Sequence, residues 1–335
     1  MGLKKTYNSL QYLRGIACWL VIFYHLAKIY NQLNFNGWGQ YFFYGGEFGV
    51  DIFFVLSGFV MTLSLEKSNG INSLKELITF LKTRWFRIAP AYFFWMAFFI
   101  ILFQQGACHL NIPSKNIIYA TLFLPGSWPY PPLPIGWTLN FEMYFYVVLA
   151  VFYYFRQHRT LLLFLAVCPI LGKILPTDIT YLSKIVFSKY VWEFLFGILL
   201  FKYQHYIQLN KSKTLLLCVI TGIIFGYFYT INFPQGINIR VIVAALLVLS
   251  FIKLEEHYTF NNKYLLFLGD TSYSTYLCHL PILSYFSYLI KEIVSETLSE
   301  SVILFSLLPV IVFISYLSYQ YLEKPFIQLG KKINF

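Results

Sequence analysis

Apolar residues in this chain come in stretches of about twenty, separated by short polar connections that hold most of the lysines and arginines. A helix rises ~1.5 Å per residue, so about twenty apolar residues span a hydrocarbon core. Ten stretches are long and apolar enough: roughly 9–29, 45–65, 86–104, 137–155, 160–176, 187–203, 214–231, 237–253, 266–290 and 302–322. The fifth is short, and Pro169 should kink it. The pattern predicts an all-α fold, a polytopic membrane protein built as a bundle of about ten transmembrane helices. No connection is long enough for a soluble domain, and no internal repeat is visible.

Lysine and arginine in the connections set the orientation. With a cytoplasmic N-terminus, that side holds seventeen of them, from Lys4 to Lys332, against seven on the other: Lys28, Lys115, Lys173, Lys184, Lys189, Arg240 and Lys291. Both termini are therefore expected in the cytoplasm. Composition agrees, with 58% hydrophobic, 21% aromatic and only 12% charged residues, where a soluble domain is nearer one quarter charged. A formal charge of +11 would suit nucleic acid. Here the basic residues are scattered singly, so topology accounts for them and no nucleic-acid partner is expected. The five cysteines show no metal-ligand or CxxC spacing and read as apolar packing residues. Lys4 and Lys5 before an apolar run suggest a signal peptide, but Arg14 interrupts that run early, so the segment is read as a retained helix.

Chemistry enters with the first stretch, Ser9 to Ile29, which carries Arg14 and His25. Their separation of eleven residues is about 1100° of helix, roughly 20° from whole turns, so they share a face ~16 Å apart along the axis. Ionisable groups inside a membrane helix are functional candidates by default. The bland alternative has Arg14 snorkelling to headgroups and His25 as a satisfied interior histidine.

Three acids lie in or near apolar cores at the depth of His25: Asp51 in FGVDIFFVLSGF, Glu142 in GWTLNFEMYFY and Glu193 in VWEFLFG. Each costs on the order of a few kcal/mol facing lipid, so each should have a partner. An acid bonded to His25 would orient the ring as a general base, and Asp51 and Glu142 are the candidates. For Glu193 a structural contact is the expectation. Lys82, Arg84 and Arg87 cluster at the expected start of the third span; the two arginines, three apart, share a face suited to phosphate. No GxxxxGKS or GxGxxG loop supports nucleotide hydrolysis or dinucleotide redox. In the ninth span Tyr273, Tyr276 and His279 recur every third residue beside Asp270, Ser272 and Ser274. That stripe reads as donor-binding, since no GxSxG elbow accompanies it. The connection Pro125 to Trp137 offers Trp128, Tyr130 and Trp137, which could stack on a sugar or anchor at the interface.

Taken in order, LRGIACWLVIFYH, FGVDIFFVLSGFVM, RWFRIAPAYF, WTLNFEMYFY, EFLFG and GDTSYSTYLCHLPI make the chain resemble the acyltransferase-3 family of integral membrane acyltransferases over nearly its whole length. Thr138 stands where the family's WSLxxE pattern commonly has serine, and Glu142 is kept. The resemblance implies one integral membrane acyltransferase domain over 1–335, without the extracytoplasmic esterase-like domain of some relatives. It implies transfer of an acyl group, most often acetyl from acetyl-CoA, to a hydroxyl of a carbohydrate or lipid-linked glycan such as lipopolysaccharide O-antigen, in a bacterial inner membrane. On that reading His25 is the base, assisted by Glu142 and Asp51. Arg14, Arg84, Arg87, Tyr273 and His279 bind the donor, Trp128, Tyr130 and Trp137 bind the acceptor, and no metal takes part. Acyl length, direct transfer against a covalent acyl-enzyme, and homo-oligomerisation stay open. The competing readings are an exporter that hands the acyl group to a separate enzyme and a proton-coupled solute transporter. Buried ionisable residues suit a transporter too, but no paired broken helices mark two halves.

Overall fold

The computed structural model describes residues 7–32, 44–102, 114–124, 132–174, 181–231, 239–293 and 300–333, and among these there is no β-strand. The helices in chain order are α1 Asn8–Gln32, α2 Gly49–Lys67 (entered through a 3₁₀ turn, Tyr44–Phe48), α3 Leu74–Leu102, α4 Ser114–Thr121 and α5 Trp137–Tyr154. They continue as α6 His158–Leu171, α7 Tyr181–Val186, α8 Val191–Tyr203, α9 Lys211–Thr230, α10 Ile239–Leu254 and α11 Lys263–Asp270. The chain closes with α12 Ser272–Ile293, α13 Glu300–Ser318, a π-helical turn Tyr319–Glu323 and α14 Lys324–Lys332.

Helix covers most of every one of the ten apolar stretches. By length and composition, five segments among the described residues can cross a membrane: Asn8–Ile29, Gly45–Lys67, Leu74–Leu102, Pro134–Tyr154 and Lys211–Thr230. The last is inside out. Only Thr214 and Thr221 of α9 are buried, while Leu216, Val219 and Ile223 are exposed. An apolar surface on a helix that turns its hydroxyls inward suits contact with lipid.

The third span differs from expectation. Its helix does not begin near residue 86 but at Leu74, twelve residues earlier. Ser73 caps it by accepting from the Glu76 N–H at 3.2 Å, and the Glu76 carboxylate accepts from the Asn72 N–H at 2.7 Å, a variant of the capping box. Arg84 and Arg87 therefore stand in the middle of a 29-residue helix rather than at its mouth.

Helix pairs at the centre meet backbone to backbone. A Cβ at Gly58 of α2 would lie 2.3 Å from the Phe194 carbonyl oxygen, and one at Gly197 of α8 would lie 2.2 Å from that of Val55. Small residues permit such approach between membrane helices. Gly197→Ala is therefore expected to destabilise by about 1–3 kcal/mol through overpacking, read as a lower melting temperature in detergent; an unchanged value would mean α2 and α8 are not this close. The same device holds α1 to α11, where a Cβ on Gly269 would meet the Gln11 carbonyl oxygen at 2.2 Å. That contact fixes α1, and with it Arg14, against the start of α12.

Candidate active site

His25 on α1 and His279 on α12 are 254 residues apart in sequence and adjacent in space. His279 Nε2 is 3.3 Å from His25 Nδ1, with ring centroids 5.0 Å apart. His25 Nδ1 is also 2.9 Å from the Val21 carbonyl oxygen, one turn back on the same helix. A carbonyl only accepts, so Nδ1 carries the hydrogen and the neutral ring keeps its lone pair on Nε2. His279 then offers its own Nε2 lone pair to that Nδ1–H. A proton taken at His25 Nε2 leaves an imidazolium whose opposite edge already faces two acceptors.

The chain thus gives His25 a carbonyl and a second imidazole where an acid was expected. Asp51 goes elsewhere: its carboxylate accepts from Arg240 Nε at 3.0 and 3.1 Å and from Nη2 at 2.6 Å. Arg240 Nη1 donates to Glu47 at 2.5 Å. Glu193 is buried beside Asp51 and interacts with it electrostatically. A guanidinium fork fits a carboxylate better than an imidazole does, so Asp51 belongs to this ion cluster and not to His25.

Tyr276, next to His279, lines a cavity of ≈ 100 Å³, room for a few waters or a short acyl group. Its polar lining includes Arg14, Arg87, Glu142, Tyr146 and Tyr273, and α2 supplies a wall that is apolar except for Ser57. Glu142 accepts from the Tyr146 hydroxyl, one turn away on α5. It faces the arginines rather than His25, and Glu142 and Glu323 offset the mutual repulsion of Arg14 and Arg87. Arg84 turns aside: its Nη2 donates to Ser64 Oγ at 3.0 Å and its guanidinium lies 5.1 Å from the Phe80 ring centre. Of the two arginines expected to work as a pair, only Arg87 lines the cavity, joined by Arg14.

The α12 stripe connects both groups. Tyr273 lines the cavity and donates to the Ile88 carbonyl at 2.7 Å. Tyr276, bonded to Thr138 Oγ1 at 3.0 Å, closes its histidine end, with its ring 5.7 Å from that of His279. His279 therefore belongs with His25 rather than with the arginines. Trp137 packs among Phe54, Phe141 and Tyr190 at ring distances of 6.4, 5.9 and 5.2 Å. Trp128 and Tyr130 lie outside the described residues.

Two residues were not singled out from sequence. In the sequence Arg240 reads only as a loop charge. Glu323 ends the π-helical turn, is buried, and accepts from Ser274 Oγ at 2.8 Å. Its signal is a lone acid among the basic residues closing the chain, in YLEKPF, and π turns often mark functional positions.

The profile of an acyltransferase domain matches residues 7–320. The chain belongs to the acyltransferase-3 family. As a member of this membrane acyltransferase family, with several helices able to span, it is an integral membrane protein and an enzyme. It is similar to the exopolysaccharide production protein ExoZ of Rhizobium meliloti (strain 1021), 27% identical over 308 residues, which are 85% of this chain and 91% of that one. It is also similar to SACOL0978 of Staphylococcus aureus (strain COL), which carries an O-acetyltransferase name and is 25% identical over 380 residues. That match takes in 96% of this chain but 57% of the relative. The O-acetyltransferase OatA of Staphylococcus aureus (strain NCTC 8325 / PS 47) is 28% identical over 178 residues, 47% of this chain and 27% of its own length. No solved structure matches the chain.

Proposed function

We propose that this acyltransferase moves an acyl group, acetyl from cytosolic acetyl-CoA, to a hydroxyl of a cell-surface or secreted carbohydrate such as lipopolysaccharide O-antigen. The observation that carries the reading is the Val21 carbonyl on His25 Nδ1, which leaves the Nε2 lone pair to act as a base; its neighbour His279 contacts Tyr276, which lines the cavity walled by Arg14 and Arg87. His25 Nε2 takes the proton of the acceptor hydroxyl as its oxygen bonds to the acyl carbon. The C–S bond breaks with its electron pair on sulfur, and His25 returns the proton to that thiolate. His279 positions His25 and shares the Nδ1–H of the imidazolium. The names of ExoZ and of the O-acetyltransferase relatives favour a polysaccharide hydroxyl as acceptor.

The residues present fit a phosphate-bearing thioester: two guanidiniums share one cavity with a largely apolar wall from α2. The bias of basic residues supports ten spans with both termini cytoplasmic, in a bacterial inner membrane. Arg14 and Arg87 then lie on the cytoplasmic side of the cavity, and His25 toward the outer side, where the acceptor enters.

Transfer of radiolabel from acetyl-CoA to purified glycans by the purified protein tests this reading; donor hydrolysis or uptake without a labelled glycan would overturn it. Within that assay, Arg87→Ala should raise the donor KM. A lost charge-assisted hydrogen bond costs about 1.5–3 kcal/mol, or roughly 10–150-fold in affinity. The contact exists before and during reaction, so kcat at saturating donor should hold. An unchanged KM with lowered kcat would move Arg87 to the chemical step.

A further inference from the structure

The hydroxyls of the cavity differ in one respect. Ser272 Oγ donates to the Gly269 carbonyl at 2.7 Å, Tyr273 to Ile88, and Tyr146 to Glu142, while Thr138 and Tyr276 bond each other. Elsewhere in the bundle, several interior hydroxyls bond back to their own helix: Thr62 to Gly58 at 2.8 Å, Thr275 to Thr271 at 2.9 Å, Ser315 to Ile311 at 2.6 Å. That is the usual fate of Ser and Thr within helices. Among the hydroxyls that line the cavity, Ser57 is the exception. Its Oγ is shielded from solvent and has no hydrogen-bond partner.

Its place on α2 adds to this. The face that α2 turns to the cavity runs through Val50, Phe53, Phe54, Leu56, Ser57, Val60 and Met61. Ser57 is the one polar group on that face, one turn beyond Phe53, whose ring is 6.1 Å from Tyr276. A buried hydroxyl without a partner is unfavourable, and a serine side chain reaches its other staggered positions by turning about one bond. An acceptor oxygen inside this apolar wall would meet a donor with no competing bond to break.

We propose that Ser57 donates a hydrogen bond to the carbonyl oxygen of the acyl group held in this cavity, positioning it and stabilising the oxyanion that forms when the acceptor oxygen adds. The assignment rests on reading the cavity as the site of acyl transfer. The bond strengthens as negative charge grows on the oxygen, so its loss belongs in kcat.

Ser57→Ala should therefore lower kcat by about 10²–10³-fold, as loss of one oxyanion donor does elsewhere, with the donor KM changed by less than about twofold. Alanine is the best helix former, so α2 should persist, and the melting temperature checks this. Ser57→Cys, near in shape but a weak donor, should fall between wild type and alanine. Full kcat in either variant would overturn the proposal. So would an acyl adduct on the Ser57 peptide, found by mass spectrometry after incubation with donor, since Ser57 would then be a nucleophile. If His25→Ala and Arg87→Ala also kept wild-type kinetics, the reading of the cavity would fall; if those two were impaired and Ser57→Ala were not, only the role of Ser57 would.

Discussion

His25→Ala and His25→Gln should each lower kcat for acyl transfer by about 10²–10⁴-fold, the range general-base catalysis contributes. Glutamine is the sharper of the two. Its side-chain amide can still donate toward the Val21 carbonyl, but its nitrogen cannot take up the acceptor proton. Donor KM should stay near the wild-type value in both, because His25 is outside the cavity walled by Arg14 and Arg87. Stability should change little, since the side chain contributes one hydrogen bond to Val21 and ring contacts with Tyr24 and His279. Purified His25→Gln turning over at the wild-type rate would remove His25 from the chemistry. A large rise in donor KM with kcat intact would make it a binding residue instead.

How much of this site is legible in the sequence depends on the distance over which its parts are coupled. Arg14 and His25 belong to one helix, so period alone places them on one face, and α1 is continuous over both. The ten apolar stretches are local in the same sense, and helices cover most of each. The start of α3 was also within reach, because Ser73 and Glu76 form a cap signal. Lys75, Lys82, Arg84 and Arg87 depress the hydropathy there and hide a helix that continues because Leu77, Phe80 and Leu81 pack against the core. The partners of the buried charges could not be read. Asp51 and Arg240 are separated by 189 residues and His25 and His279 by 254. Spacing says that each buried charge needs a partner, not which one. Given Asp51 and Glu142 near the depth of a histidine, an acid–imidazole pair was the simplest closure. The fold instead sent Asp51 to a guanidinium and Glu142 toward two more, and left a neutral carbonyl and imidazole for His25.

Arg240→Ala should destabilise the folded protein by about 3–5 kcal/mol, the usual result of removing one member of a buried ion pair. Asp51 is almost fully buried, with 2% of its side chain exposed, and Arg240 is 11% exposed. Without Arg240, the Asp51 carboxylate is left with Glu193 buried beside it and Glu47 released nearby. Asp51→Asn should cost less, because an uncharged amide still accepts one of the three hydrogen bonds from Arg240. Pairing Asp51→Asn with Arg240→Met removes both charges and keeps apolar volume. That double variant should therefore lose less than the sum of the single changes, a coupling of the kind contacting residues give. Melting temperatures in detergent for the four proteins measure the effect, with kcat determined per folded enzyme. A direct role for Asp51 at His25 predicts the opposite pattern: Asp51→Asn with wild-type melting and a large loss of kcat, and no coupling to Arg240. The ion cluster predicts lowered melting, strong coupling, and near-normal kcat in whatever fraction remains folded, because Arg240 and the carboxylates around it hold the N-terminal ends of α2, α8 and α10 together and take no part in moving the proton.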